Sequence, residues 1–319
     1  MKLYAPEYYR EFTCIADRCK HSCCVGWEID IDSDTLAKYD SISSGYGEKI
    51  KDSISRDADG SAHFVLGDEN DPLGAERCPH LDERGLCRII SELGEGYLCD
   101  ICREHPRFYN YTKNGREVGL GMACEEACRL ILTYDGYGKM IELADTDGVD
   151  ALTDSSEEVE DFDALAHREE IYSILSDRSL GYAQRLDALG EKYDVSPRDI
   201  SDGEWRELLS SLEYLDGSHK ELFSAYSSDV SVPVALEKML ERALAYFVFR
   251  HCTEACNEED MRATVGFCLF MERLVASIAK RSGIADEDVA AMVEIARAVS
   301  EEIEYSEENT DAIRAVFMC

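Results

Sequence analysis

Hydrophobic and polar residues are patterned differently in the two parts of this chain. Beyond residue 164 the apolar positions recur at helical spacing almost throughout. Leu165, Ile171, Ile174 and Leu175 share one face, as do Leu208, Leu209, Leu212 and Leu215. The longest run, 234–256, sets Leu236, Leu240, Leu244, Phe247 and Val248 on one side. Residues 261–280 and 289–305 read as two more amphipathic helices, and Asn309, Thr310 or Asp311 as the cap of a last one over 312–317.

The N-terminal part alternates over shorter stretches. A short helix is predicted near 6–12, and residues 28–32 alternate as a short strand or an extended approach to a helix would. Asp32, Ser33 and Asp34 offer caps for a helix through Leu36 and Tyr39. Residues 41–60, rich in Ser, Gly and Asp, read as partly ordered loop, and 62–66 as a strand ended by Gly67 and Asp68. A short helix over 88–93 is stopped by Gly94. Residues 99–107 read as irregular, because Pro106 disfavours helix at His105. A strand over 116–121 and a helix opening at 124–132 close this part.

Between the two parts, residues 145–163 hold nine acidic side chains and no Lys or Arg, with a helix-start signature at Asp154-Ser155-Ser156-Glu157. The predicted organisation is therefore a loop-rich N-terminal domain with short strands (1–144), an acidic connection (145–163) and an all-helical C-terminal domain (164–319), mainly α in class.

Composition narrows the partners. With 33 basic and 67 acidic side chains the formal charge is −34. A nucleic-acid partner would need a basic surface, so none is expected. The charge suits steering of a basic or lysine-bearing protein, and equally suits plain solubility or a salt-adapted host. No window approaches the apolar length of a membrane span, so no membrane partner is expected. The opening, MKLYAPEYYREF, lacks the apolar run of an export signal, which together with the many cysteines gives a reducing cytoplasm as the expected location.

The chemistry gathers in the cysteines. Ten of the fourteen fall within the first 128 residues: Cys14, Cys19, Cys23, Cys24, Cys78, Cys87, Cys99, Cys102, Cys124 and Cys128. One zinc ion or one cubane cluster takes about four thiolates, so ten suffice for one or two centres. A disulfide framework of this density belongs to small secreted chains, and adjacent cysteines such as Cys23 and Cys24 do not readily close on each other. Spacing alone does not separate zinc from iron. Neither a paired C-x2-C zinc-finger spacing nor the bacterial ferredoxin run is present.

His21, His80 and His105 lie in the same region and could replace a thiolate, though each reads first as a surface or supporting residue. Arg103 and Arg107, close to Cys102, could neutralise an anionic cluster or bind a carboxylate, or form ordinary ion pairs. Cys124 and Cys128 stand one helical turn apart. Cys252, Cys256, Cys268 and Cys319 read as core thiols. Rossmann, P-loop, nucleophile-elbow and C-x3-C-x2-C signatures are absent.

The pattern F-x-C-x4-C-x3-C-C-x-G-W-x-I, then C-P-x-L, G-L-C, L-G-E, C-R-x-x-P-R and C-x-E-x-x-R, resembles the flagellin lysine-N-methylases, within a wider group described as zinc- or iron-chelating. It runs through Phe12, Cys14, Cys19, Cys23, Cys24, Gly26, Trp27 and Ile29, then Cys78-Pro79, Gly85-Leu86-Cys87, Leu93-Gly94-Glu95, Cys102-Arg103, Pro106-Arg107, Cys124, Glu126 and Arg129. Residues 246–250 and 298–309 resemble that family's C-terminal helices.

The resemblance implies a metal set of Cys14, Cys19, Cys23, Cys24, Cys78, Cys87, Cys102 and Cys124, with Cys99 and Cys128 as weaker candidates. It implies a [4Fe–4S] cluster, with zinc as the alternative metal, and methyl transfer from S-adenosylmethionine to lysines of flagellin. Arg103 and Arg107 become the candidate cofactor-binding residues. An ammonium group cannot attack a methyl, so a base is needed, for which Glu126, Asp30 and Tyr109 are candidates. Two alternatives stay open: a non-enzymatic iron–sulfur or zinc module, and a methyltransferase acting on another amine.

Overall fold

The computed structural model describes residues 2–43, 45–68, 70, 74–143 and 162–318. The chain forms two compact units, one of Met1–Phe12 with Phe108–Cys319, the other of Thr13–Arg107. These divide the chain differently from a boundary at 144. The chain opens with strand β1 (Leu3–Pro6), and the short helix expected near 6–12 is a 3₁₀ helix, Glu7–Glu11.

The Thr13–Arg107 unit contains α1 (Ser33–Ser41), α2 (Gly45–Asp52), the strand pair β2 (Ile54–Arg56) and β3 (Ala62–Phe64), α3 (Arg88–Leu93) and α4 (Asp100–Glu104). Asp32 caps α1, its Oδ1 accepting Thr35 N–H at 2.9 Å, as its position before the helix predicts. Gly94, at φ +95°, ends α3.

Residues 28–32 do not form a regular strand. They run extended beside β3, with Ile31 N–H bonded to Ala62 O at 2.8 Å and Phe64 N–H to Ile29 O at 3.0 Å. Ile29 and Ile31 are buried while Asp30 between them is exposed, so the alternation reports burial correctly. The stretch expected as loop over 41–60 holds α2 and β2 instead. Ile50 is fully buried in this unit's core and supplies the apolar anchor that the Ser- and Gly-rich composition obscured. Residues 100–104 are helical, ending at His105 before Pro106.

The second unit continues through β4 (Arg107–Thr112), β5 (Gly115–Leu120), α5 (Glu125–Thr133) and β6 (Met140–Leu143). The sheet order is β4-β5-β1-β6, with β1 parallel to β5 and antiparallel to β6. This pairing carries the first residues of the chain into the helical unit. Residues 144–161, most of the predicted acidic connection, lie outside the described residues.

Then follow α6 (Ala164–Ser176), α7 (Tyr182–Tyr193), α8 (Asp202–Ser211), α9 (Gly217–Phe223), α10 (Val234–His251), α11 (Glu258–Arg281), α12 (Val289–Glu304) and α13 (Glu307–Ala315). α10 and α11 are buried along most of their length and pack on each other; α5 and α6 pack on α10, and α12 on α5 and α11. Trp205 stacks on Phe270 with centroids 3.9 Å apart. Burying each such large side chain contributes about 1.5–3 kcal/mol.

Three details differ from the periodicity. The helix through Leu208 stops at Ser211, leaving Leu215 exposed. α13 is capped by Ser306, and Asn309 is used inside it, donating to Glu213 O and Glu302 O at 2.7 Å each. Cys256 lies beyond α10 and is exposed, whereas Cys252 and Cys268 are fully buried as expected; Cys319 lies outside the described residues.

Glu117 on β5 and Arg168 on α6 form a two-pronged ion pair, 2.6 and 2.7 Å, with both side chains buried. Arg168→Ala leaves a buried carboxylate alone. It is expected to cost about 3–5 kcal/mol, measured as a lower urea midpoint. A midpoint within error of the native chain's would mean that water reaches Glu117.

Candidate metal centre

Five of the cysteines come together in the core of the Thr13–Arg107 unit. Cys78 and Cys99 are buried there, and Cys24, Cys87 and Cys102 pack against the same cluster. The backbone explains the meeting. Cys78 N–H bonds to Cys24 O at 2.8 Å and Gly26 N–H to Glu76 O at 2.9 Å, so segments 24–26 and 76–78 lie side by side. Residues 82–86 then form a tight turn: Asp82 Oδ1 accepts from Arg84 N–H and Leu86 N–H, both at 2.9 Å, and Gly85 takes φ +80°. The turn brings Cys87 back to bridge with Leu81, three residues after Cys78. Cys87 and Cys99 cap α3 and α4, and Cys102 sits one turn into α4. Gly85 also lies against the loop of Asp17, where an added Cβ would be 3.8 Å from that residue's Cα.

The thiols act on one another. Cys23 donates a hydrogen bond to Cys24, which with Ser22 and the Arg77 guanidinium outweighs burial and holds the Cys24 thiol down to about 7. The hydrogen bond from Cys102 likewise lowers Cys99, and by the same bond Cys102 is pushed far up. Burial drives Cys78 up to about 12, and raises Cys87. The five therefore form a centre in which Cys24 and Cys99 ionise readily while the others resist ionisation beside existing thiolates. A cation removes that resistance, because metal coordination deprotonates thiols. A soft, thiolate-only donor set fits zinc or an iron–sulfur cluster. Among the described residues no three of these sulfurs lie within 4.8 Å of one another.

The remaining site candidates are placed as follows. Cys14 is exposed and Cys19 half-buried on the loop around a 3₁₀ turn, Ala16–Arg18, with Cys19 Sγ 3.1 Å from His21 O. Cys124 and Cys128 belong to the helical unit. Cys124 caps α5, and Cys128 is fully buried with Sγ 3.7 Å from Val293 O. His80 is closed off as a ligand: Tyr46 OH meets Nδ1 at 3.0 Å and Ser53 Oγ meets Nε2 at 2.9 Å, and burial with nearby Arg88 holds its pKa near 4. Burial and Arg107 do the same for His105. Arg103 pairs with Asp100 and Glu104, the ordinary ion-pair arrangement, and Arg107 Nη1 donates to Arg103 O at 3.3 Å. Of the base candidates, Glu126 is held by Arg129 at 2.6 and 2.7 Å, Asp30 is exposed, and Tyr109 lies under the Arg116 guanidinium at 5.1 Å.

Two residues stand more centrally than the sequence reading placed them: Cys99, ranked there as a weaker candidate, and Arg77, not singled out at all. Cys99 sits at the heart of the five; the only signal for it was its C-x2-C relation to Cys102. Arg77, adjacent to Cys78 in sequence, also anchors the turn by donating to Leu81 O at 3.2 Å and to Asp82 O. Elsewhere, His219, Glu301 and Glu302 bring ligand atoms within 4.8 Å of one another. Their bonding accounts for them: Glu302 accepts from His219, from Leu215 N–H at 2.7 Å and from Asp216 N–H at 3.0 Å, and Glu301 from Arg297 at 2.7 Å.

Cys252 lies in the core of the helical unit, so Cys252→Ala is expected to leave metal content unchanged. Loss of metal in that variant, found by elemental analysis, would give the helical unit a ligand.

Five thiols meeting in one core give this chain a donor set of the kind that suits soft metals. Comparison with known proteins gives it relatives. Over 128 residues, 40% of its length, it is 32% identical to the flagellar biosynthetic protein FliU of Salmonella muenchen and covers 75% of that protein. It is also 32% identical to lysine-N-methylases of Salmonella choleraesuis, over 128 residues, and Salmonella typhimurium, over 135 residues, covering 31% of each. The chain thus spans about a third of the length of those two relatives. No family model and no solved structure matches the chain. The chain belongs to the family of the flagellar biosynthetic protein FliU. Among the described residues no helix is long and apolar enough to cross a membrane.

Proposed function

We propose that this chain serves lysine N-methylation of a flagellar protein, with flagellin as the substrate, S-adenosylmethionine as the methyl donor and a [4Fe–4S] cluster on the cysteine centre. The observation that carries the proposal is the convergence of Cys24, Cys78, Cys87, Cys99 and Cys102 in one core, in a chain whose relatives include proteins named lysine-N-methylase. Five convergent thiols exceed the four that a cubane cluster or a zinc ion takes. Bound there, a cluster would supply an anionic, redox-active centre that can offer an iron site to a ligand.

The chain's own residues hold this centre. Arg77 faces Cys24 and offsets part of the thiolate charge. Tyr39, fully buried, has its hydroxyl committed to Tyr97 O at 2.6 Å and closes one side of the thiol core against water. In the transfer itself the neutral lysine nitrogen forms the new N–C bond, the S–CH₃ bond breaks with its electrons remaining on sulfur, and a base takes the nitrogen's proton.

A second reading, a metal-binding module that does not itself transfer methyl groups, is favoured by the short span of the methylases that the chain covers. Both readings meet one experiment. Anaerobically purified protein is analysed for iron, zinc and sulfide, titrated with S-adenosylmethionine, and incubated with flagellin and labelled donor. About four irons and four sulfides, donor binding and label on lysine are expected. Zinc without sulfide would remove the cluster. A cluster without donor binding or label would leave the module reading.

A further inference from the structure

The segment that carries α9 is held to α12 more by polar contacts than by apolar packing. Within α9 only Phe223 is buried. The Glu302 carboxylate on α12, 1% exposed, gathers three donors from this one segment. Leu215 N–H reaches Oε2 at 2.7 Å; Asp216 N–H at 3.0 Å and His219 Nδ1 at 2.6 Å share Oε1. Asn309 on α13 fixes the start of the segment, accepting Glu213 N–H at 3.1 Å and donating to Glu213 O at 2.7 Å. The His219 ring lies nearly parallel to Phe223, with centroids 6.1 Å apart, and its side chain keeps 15% exposure, so water can exchange its proton.

The charges around this ring are mostly negative. Asp216 Oδ2 stands 3.9 Å from Nε2, and Glu301 on α12 brings an oxygen within 4.8 Å of a ring nitrogen. Arg297, also on α12, is engaged with Glu301 at 2.7 Å. Glu213, Glu307 and Glu308 line the hollow beside Glu302. The cations that reach the segment from α8 and α11, Arg206 and Arg281, bond further along it, to Tyr226 O at 2.7 Å and Leu222 O at 2.9 Å. Burial by itself lowers the His219 pKa, but Glu302, Asp216 and Glu301 outweigh it and the net shift is upward. A histidine raised in this way adds stability that is complete below its unfolded value of ~6.5 and is lost as pH rises through the higher, folded value.

We propose that the His219–Glu302 pair is a pH-sensitive latch: the imidazolium holds residues 213–223 closed on α12, and loss of its proton lets the segment open locally. A neutral ring still donates from Nδ1, so the latch weakens rather than breaks, because a hydrogen bond charged at both ends is the stronger one. Opening uncovers Phe223, which is fully buried in the closed segment. The device lies in the helical unit and depends neither on the thiol centre nor on the methylation reading.

The test is amide hydrogen exchange on the full chain carrying its metal. It is followed at Leu215 and Asp216 N–H between about pH 5.5 and 8.5 and corrected for the intrinsic pH dependence of exchange. Protection at these two amides is expected to fall at least ~threefold over that range, while amides in the middle of α10 and α11 keep theirs. His219→Gln, which retains a donor but cannot titrate, should give protection that no longer varies with pH. Flat protection in the native chain, or a fall that persists in His219→Gln, would overturn the proposal. A parallel fall in α10 and α11 would overturn it too, since the change would then be global. Should the variant fail to fold, the proton titration of the His219 ring in the native chain decides, read from its Cε1–H resonance. A midpoint above ~6.5 supports the latch, and one at or below that value overturns it.

Discussion

A chain carrying Cys99→Ser is expected to lose most of its metal, whereas Cys14→Ser keeps it. Cys99 is 1% exposed, caps α4 and accepts the Cys102 proton, so it is the thiol most ready to ionise on that side of the core. Serine keeps the volume and a hydrogen bond but not the soft thiolate that zinc or iron prefers. Losing an outer partner of a metal ligand typically costs ~10–100-fold in affinity, and losing a ligand itself should exceed that. Cys14, exposed, has no such place in the core. The measurement is metal and sulfide per chain after anaerobic purification, with far-ultraviolet dichroism to confirm folding. Full metal in Cys99→Ser and loss in Cys14→Ser would move the centre from the buried five to the N-terminal loop.

The contrast between these two cysteines shows what the sequence could and could not carry. Cysteine density marked the region, and turn residues such as Gly85 and Gly94 fell where the structure uses them. Motif resemblance ranked Cys14 above Cys99, because a pattern ranks positions by spacing, whereas which thiols face inward is set by the fold. That depends on α2 and on the pairing of 24–26 with 76–78, both non-local. The helices of the second unit were legible because each buries one stripe, and α10 and α11 are long enough for the period to repeat. α7 was missed: its buried face includes Tyr182, Arg185 and Gly190, which a hydrophobic period does not register. Likewise Asn309 read as a cap because Asn usually serves there, whereas its amide here ties α13 to the loop at Glu213 and to the end of α12.

Glu304→Ala is expected to be among the most destabilising single changes in the helical unit. The carboxylate is fully buried at the end of α12 and gathers His251 Nε2 at 2.7 Å, Ser300 Oγ at 2.5 Å and Tyr246 OH at 3.1 Å, with Arg250 Nε at 3.4 Å. Tyr246 OH in turn accepts Met122 N–H at 3.0 Å, so the network joins α10, α12 and the segment before α5. Arg250 lies over Phe108 and Tyr305, 4.7 and 5.1 Å from their ring centroids, with its side chain 13% exposed. Removing the carboxylate strands a buried cation, a change that costs about 3–5 kcal/mol.

The same network predicts a pH dependence. Burial alone would raise the Glu304 pKa, but Arg250, His251 and Ser300 together bring it below the ordinary value. An unfolded Glu titrates near ~4.3. The stabilisation is therefore complete above that pH and is lost as pH falls through the lower, folded value. Urea unfolding of the native chain should weaken between about pH 5 and 3, and Glu304→Gln should show less of that slope, starting from a lower midpoint at neutral pH. If Glu304→Gln matched the native chain at neutral pH and kept its acid slope, the buried charge would contribute nothing, and the helices would be held by apolar packing alone.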